Sequence, residues 1–327
     1  MKIFAFSLRP YDELGYLEDF AAQEGFEFGW TSEYPGMDNL SLAEGAEAVS
    51  IITNPMTPEI LDAFHAMGVK AIATRSIGYD HIDMDHARKL GIRIAHAAYP
   101  PEGVANYAIM LMMMAARKVK FISREDRVQD FGLEGKIGLD ISSATVGVIG
   151  TGRIGATVVK HLSSFGCRIL ANDPYPKDEV RKSAEYVDLD TLLASSDIIT
   201  LHAPGLESNH HMIDAAAFSK MKPGVILVNA ARGSLIDTEA LIANIESGHV
   251  GAAALDTIEN EAGLYYLDRS RDILPNRDKA ILAAFPNVIV TPHMAFYTQE
   301  DVREMITSST GALVSFLRGE ATPYEVK

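Results

Sequence analysis

A chain of 327 residues, 47% of them hydrophobic, is long enough for two domains, each with its own core. Its 44 acidic residues outweigh 29 basic ones and give a formal net charge of −15, with no long basic run, so nucleic acid and anionic membranes are excluded as general partners. Cys167 is the only cysteine, which rules out an intrachain disulfide and fits a cytoplasmic location, and MKIFAFSLRP turns polar too soon for a signal peptide.

In chain order, KIFAFS, AVSIITN, KAIATRS and RIAHAA are expected as strands, with PEILDAFHAMG and MDHARKLG as helices between them. That pattern implies a parallel α/β unit without a glycine-rich fingerprint. DHIDMDH, from Asp80 to His86, has the composition of a metal site, but its loop-to-helix position reads better as helix capping, so no metal is expected. A long helix is expected from near Glu102. Its segment AIMLMMMAA, Ala108 to Ala116, is far short of the ~20 residues of a membrane span and reads as a buried helix whose methionines fill the core or line a subunit interface.

The second half opens on TVGVIGTGRIG. A β-branched strand runs into glycines at 150, 152 and 155 and then into RIGATVVKHLSSFG, which reads as a helix. The next strand, CRILAND, ends in Asp173, 18 positions after Gly155. That is the spacing at which an acidic residue meets the ribose hydroxyls of a dinucleotide whose pyrophosphate lies at the helix N-terminus. Asp173 would repel a 2′-phosphate, so NAD is expected over NADP. A side chain at Gly152 would block the pyrophosphate.

Further strands follow: DIITLHAP, VILVNAA, GAAALD and VIVTPH. Ligands of open parallel sheets bind beyond the carboxyl ends of strands, where this chain places Arg232, then Asp256, Glu259 and Glu261, then His293. An arginine, acids and a histidine beside a dinucleotide suggest proton transfer next to a substrate carboxylate. His202 is expected to pack. The adjacent His210 and His211, unable to face one way in regular structure, are expected on the surface. LDRSRDILPNRDK reads as a mobile surface loop, and EDVREMITSSTGALVSFLRG as an amphipathic helix.

The motifs VGVIGTGRIG, LHAPGLESNHHMI, FSKMKPGVILVNAARGSLIDTEAL, GAAALDTIENE and NVIVTPHMAFYT resemble the D-2-hydroxyacid dehydrogenase family over essentially the full length. TRSIGYDHID and the ENEAGLYYLDRSRD loop are most similar to its D-lactate dehydrogenase branch, including the vancomycin-resistance type. The resemblance implies two Rossmann-like, doubly wound parallel-sheet domains with a cleft between them: residues 1–100 with 297–327 for substrate, flavodoxin-like, and 101–296 for NAD. It implies a homodimer, and Arg232, Glu261 and His293 as the catalytic set. NAD contacts are implied for Gly150, Gly152, Arg153, Ile154, Gly155, Asp173, Ala203, Pro204, Asn209, Ala230, Ala231, Arg232, Asp256 and His293. For the substrate, it implies backbone N–H groups of Ile77 and Gly78 at the carboxylate, gripped also by Arg232, with Tyr99 and Phe296 as walls and Tyr297 adjacent.

In chemical terms, reducing a 2-keto acid needs a hydride to the carbonyl carbon and a proton to its oxygen. Protonated His293 would supply the proton, held and oriented by Glu261, while the planar fork of Arg232 grips the carboxylate. Aromatic walls favour a methyl-sized substrate, so D-lactate formation from pyruvate is expected, with D-2-hydroxyisocaproate or phenyllactate chemistry as the alternative. A non-enzymatic, NAD-sensing corepressor-like protein is the reading from another class. YPP at 99–101 departs from the Tyr-Ser-Pro frequent in relatives and leaves the substrate open.

Overall fold

The computed structural model describes residues 1–261 and 263–326; Ala262, in the expected loop, and Lys327, at the end of the expected substrate domain, lie outside the described residues. The chain divides into two compact units, Met1–Pro100 with Tyr297–Lys327, and Pro101–Phe296.

The first unit opens with β1 (Lys2–Ala5), β2 (Glu27–Trp30), β3 (Ala48–Ile51), β4 (Ala71–Thr74) and β5 (Arg93–His96). The second contains β6 (Thr145–Ile149), β7 (Arg168–Asn172), β8 (Glu185–Tyr186), β9 (Ile198–Leu201), β10 (Val225–Asn229), β11 (Val250–Leu255) and β12 (Val288–Val290). The chain then returns to the first sheet as β13 (Glu325–Val326).

The first sheet runs β13-β5-β4-β3-β1-β2. It is parallel except at β13, which pairs antiparallel with β5 through Glu325↔Ala95 and Val326↔Ile94. That edge departs from the all-parallel expectation: β13 follows a long helix that has already crossed back over the sheet, and an antiparallel edge strand needs no further crossover. The inner strands β3 and β4 are buried at every position, as their continuous small and β-branched runs demand. The helix Gln299–Leu317 covers this sheet, with Ile306 and Leu313 packed in one core with Ile3, Ala71 and Ala73. Thr298 starts it by accepting from the Asp301 N–H at 3.1 Å.

The second sheet is parallel throughout, in the order β12-β11-β10-β9-β6-β7-β8. The order reverses between β6 and β9, a crevice-forming switch point of a doubly wound sheet. The methionine-rich helix Glu102–Ala116 packs on this sheet through Ala105, Ala108, Leu111 and Met112. Its methionines split by face: Met112 is fully buried, whereas Met110 and Met113 are exposed. In LDRSRDILPNRDK, residues from Arg277 form a helix, Arg277–Ala284, begun by the Asn276 side chain accepting from the Lys279 N–H at 2.8 Å. Among the described residues no helix is long and apolar enough to cross a membrane.

Candidate active site

Beyond β6 the chain turns at Gly150, whose φ of +88° suits glycine, and a Cβ there would stand 2.6 Å from the Ala203 nitrogen. A Cβ on Gly155 would fall on the Gly150 carbonyl oxygen, so the helix Arg153–Leu162 sits tight against its own entry turn. Gly152 differs: a Cβ there would meet nothing within 4 Å. Open ground beside Gly152, at the start of a helix whose first N–H groups need acceptors, fits a pyrophosphate.

Asp173 follows the end of β7 and is anchored to the same turn. One carboxylate oxygen accepts from the Thr151 N–H at 2.6 Å and from its hydroxyl at 3.1 Å, and the other accepts from the Tyr175 N–H at 2.7 Å. His202 lies beneath the turn with Nε2 2.9 Å from the Thr200 hydroxyl, and burial pushes its pKa down to about 4. It is a neutral packing histidine, as expected. The loop after it is braced by Asn209, which accepts from the Leu206 N–H and donates to the Pro204 carbonyl, both at 2.8 Å.

The turn after β10 is shaped by buried Asn229. Its amide donates to the Arg232 carbonyl at 2.8 Å and its side-chain oxygen accepts from the Ala231 N–H at 3.0 Å. Arg232 is half-buried and donates to the Ala231 carbonyl at 2.8 Å. A Cβ on the next residue, Gly233, would fall on the Ile258 carbonyl, so the Arg232 turn lies directly against the segment that carries Glu261.

Past β11 and β12 the acid and the histidine meet. Nδ1 of His293 is 2.6 Å from Glu261 Oε1, and Glu261 Oε2 accepts from the Ile258 N–H at 3.0 Å. His293 has a left-handed φ of +53°, uncommon for a residue with a side chain. Its N–H donates to the Asp256 carbonyl at 2.9 Å. The fully buried Asp256 carboxylate braces the same turn, accepting from the Thr291 hydroxyl and from the Met294 and Ala295 N–H groups. Burial pushes the Asp256 pKa up, and these three donors and nearby His293 oppose it.

Tyr266, unremarked in the sequence, closes the arrangement by donating its hydroxyl to the His293 carbonyl at 3.0 Å. Its ring meets Phe296 edge-on at 6.0 Å. Tyr266 is itself left-handed, with φ +69°. Only its position five residues after Glu261 could have pointed to it.

The expectation for His210 and His211 is corrected in part. The rings stack at 3.9 Å and do share a side, because His211 has a left-handed φ of +52° and the regular-structure argument does not apply. His210 is exposed, while His211 is half-buried and pairs through Nε2 with Glu259 Oε1 at 2.6 Å. At Asp80–His86, Asp83 caps the helix Met84–Leu90 by accepting from the His86 N–H at 2.9 Å.

The remaining sequence candidates belong to the first unit. Ile77 and Gly78 follow β4, with the Ser76 hydroxyl donating to the Gly78 carbonyl at 2.6 Å, and Tyr99 follows β5. The preceding Arg75 is fully buried and donates to Glu13, Ser50 and the carbonyls of Phe6 and Ser7, all at 2.9–3.0 Å. Because every arm of the guanidinium is engaged, it fixes three strand ends at once. Tyr297 lies 5.6 Å from the Arg9 guanidinium, and burial, with Asp12 beside it, pushes its pKa up to about 12.

A glycine-turn dinucleotide cradle together with a carboxylate-held histidine defines a dinucleotide-binding protein of the parallel α/β class. The family model described as D-isomer specific 2-hydroxyacid dehydrogenase, NAD binding domain, matches residues 109–295. The chain is 38% identical over 309 residues to an aromatic 2-oxoacid reductase of Clostridium sporogenes, covering 94% of this chain and 93% of that one. It is 37% identical over 329 residues to D-lactate dehydrogenase of Escherichia coli, covering 100% of both. The solved structure of D-2-hydroxyisocaproate dehydrogenase superposes with a TM-score of 0.88 at 34% identity, covering 100% of this chain and 99% of that one. The chain belongs to the D-isomer specific 2-hydroxyacid dehydrogenase family and is an NAD-dependent oxidoreductase.

Proposed function

We propose that this enzyme reduces pyruvate to D-lactate with Arg232, Glu261 and His293 as its catalytic set. The observation that carries the reading is the 2.6 Å contact between His293 Nδ1 and Glu261, which leaves Nε2 as the nitrogen that can serve a substrate oxygen. NADH supplies the hydride when bound. His293 Nε2–H gives a proton to the keto oxygen, Nδ1–H stays on Glu261, and the ring is left neutral to take a proton from water. Arg232 turns its fork to the substrate carboxylate, as the backbone N–H groups of Ile77 and Gly78 do.

The preference for a small substrate is supported by Phe296, buried and backed edge-on by Tyr266. Tyr99 and Tyr297 complete the set of substrate residues. NAD is held by Gly150 to Gly155, including Arg153 and Ile154, by Asp173, Ala203, Pro204 and Asn209, and by the Ala230–Arg232 turn, with Asp256 behind His293.

A cytoplasmic homodimer completes the proposal. It is supported by the apolar side chains that the second unit exposes around the methionine helix, among them Met113, Ile122, Phe131, Leu133 and Ile137. Light scattering at micromolar concentration tests the dimer.

The deciding experiment compares initial rates of NADH oxidation with pyruvate, 2-ketoisocaproate and phenylpyruvate, with NADPH as control. The highest kcat/KM on pyruvate with a D-configured product is expected. A preference for phenylpyruvate would transfer the assignment to the aromatic 2-oxoacid reductase type.

A further inference from the structure

We propose that His210, His211 and Glu259 form a binding site for a divalent transition cation of the Zn²⁺ class. One donor atom from each residue falls within 4.8 Å of the others, and no other such trio occurs among the described residues. Two imidazoles and a carboxylate suit Zn²⁺, Co²⁺ or Ni²⁺ better than Mg²⁺ or Ca²⁺, which prefer all-oxygen shells.

The geometry needs only small adjustment. Ligand atoms around a tetrahedral Zn²⁺ with bonds of about 2.1 Å stand about 3.4 Å apart. His211 Nε2 and Glu259 Oε1, at 2.6 Å, must open by less than an ångström, and the donor atoms, all within 4.8 Å of one another, must close to about 3.4 Å at their widest. The backbone already turns the two rings to one side through the left-handed His211, whose N–H is held by the Ser234 carbonyl at 2.8 Å. Glu259 is oriented from behind: its Oε2 accepts from the Thr238 N–H at 3.1 Å and from the Thr238 hydroxyl at 2.6 Å, leaving Oε1 toward the histidines. Ligating carboxylates are commonly fixed by such outer hydrogen bonds.

A cation here ties the segment after β9 to the segment after β11 and so clamps the second unit across two strand-end loops. The site does not depend on the catalytic assignment, because none of its three residues belongs to the Arg232, Glu261 and His293 set.

The test uses the full chain without an affinity tag, stripped with a chelator and titrated calorimetrically with Zn²⁺ in a non-coordinating buffer. One ion per chain and a raised thermal midpoint are expected, since binding only the folded state stabilises it by mass action. Co²⁺ substitution should add visible absorption bands. His210→Ala alters an exposed side chain and should weaken binding at least tenfold with an unchanged metal-free midpoint, whereas His65→Ala, exposed on the helix Pro58–Ala66, should bind like the parent. Lack of saturable binding up to about 100 μM Zn²⁺, or equal affinity in His210→Ala, would overturn the site.

Discussion

His293 meets Glu261 through Nδ1 and His211 meets Glu259 through Nε2, both at 2.6 Å and both carboxylates on the stretch that follows β11. The two pairs differ in what surrounds them. His293 is fixed through its backbone, by Asp256 and Tyr266, so its ring can change partners while its position holds. At the other pair the carboxylate is locked by Thr238, and the histidine, its own N–H held by the Ser234 carbonyl, lies against a second, exposed histidine. A short histidine–carboxylate distance therefore does not identify a proton donor. The nitrogen left over does, Nε2 at His293 and Nδ1 at His211.

The largest expected separation between the pairs is in turnover. His293→Ala should lower kcat by about 10²- to 10⁴-fold with NADH affinity nearly unchanged in a fluorescence titration. His211→Ala should stay within about threefold of the parent in the same assay, as expected for a partly exposed ion pair. Equal losses would erase the distinction. Arg232→Lys keeps the charge but removes the fork, and kcat/KM for the keto acid should fall about 100-fold while NADH binding holds. Tyr266→Phe removes one hydrogen bond to the His293 carbonyl, worth about 1 kcal/mol net, so kcat should fall about fivefold. An unchanged kcat would mean that Asp256 alone sets the turn.

Stability against pH sharpens the contrast further. The His211 pKa is raised, by its bond to Glu259 against the opposing effect of burial. Its contribution is fully present below its ordinary 6.5 and is lost as pH rises through the folded value. Glu259 is pushed up by burial but held below its usual 4.5 by His211 and Thr238, so its contribution is present above that value and is lost in acid. Glu259→Gln should weaken both limbs in urea denaturation across a pH series. His202 acts the other way: half-buried and neutral, with its pKa pushed down to about 4 by the burial of its ring, it favours unfolding as pH falls from 6.5 toward that value. His202→Gln should flatten that interval, and an unaltered slope there would assign the acid sensitivity elsewhere.

Much of this was legible because strand ends carry their own signatures. All of β6, β7 and β9–β12 could be read from apolar runs, and Arg232, Asp256, Glu261 and His293 stood out as charged residues just beyond such runs. What escaped was short or non-local. β2 is a half-exposed edge strand, and β8 and β13 have two residues each, too few to show a period. The buried Arg75–Glu13 pair joins residues 62 positions apart, and no local pattern announces it. Tyr266 and the stacked His210 and His211 depend on left-handed backbone, a conformation that residue type does not reveal outside glycine and asparagine.

The contact at Gly233 has a practical corollary for redesign. Because the residue after Arg232 has no room for even a methyl group against Ile258, the arginine-bearing and glutamate-bearing loops form one inheritable cassette. Transplanting either loop alone from a relative with different taste in substrates would wedge the two apart. Moving residues 230–235 and 256–261 together preserves their mutual fit, and a chimera that trades both should keep its proton chemistry while its pocket is rebuilt elsewhere.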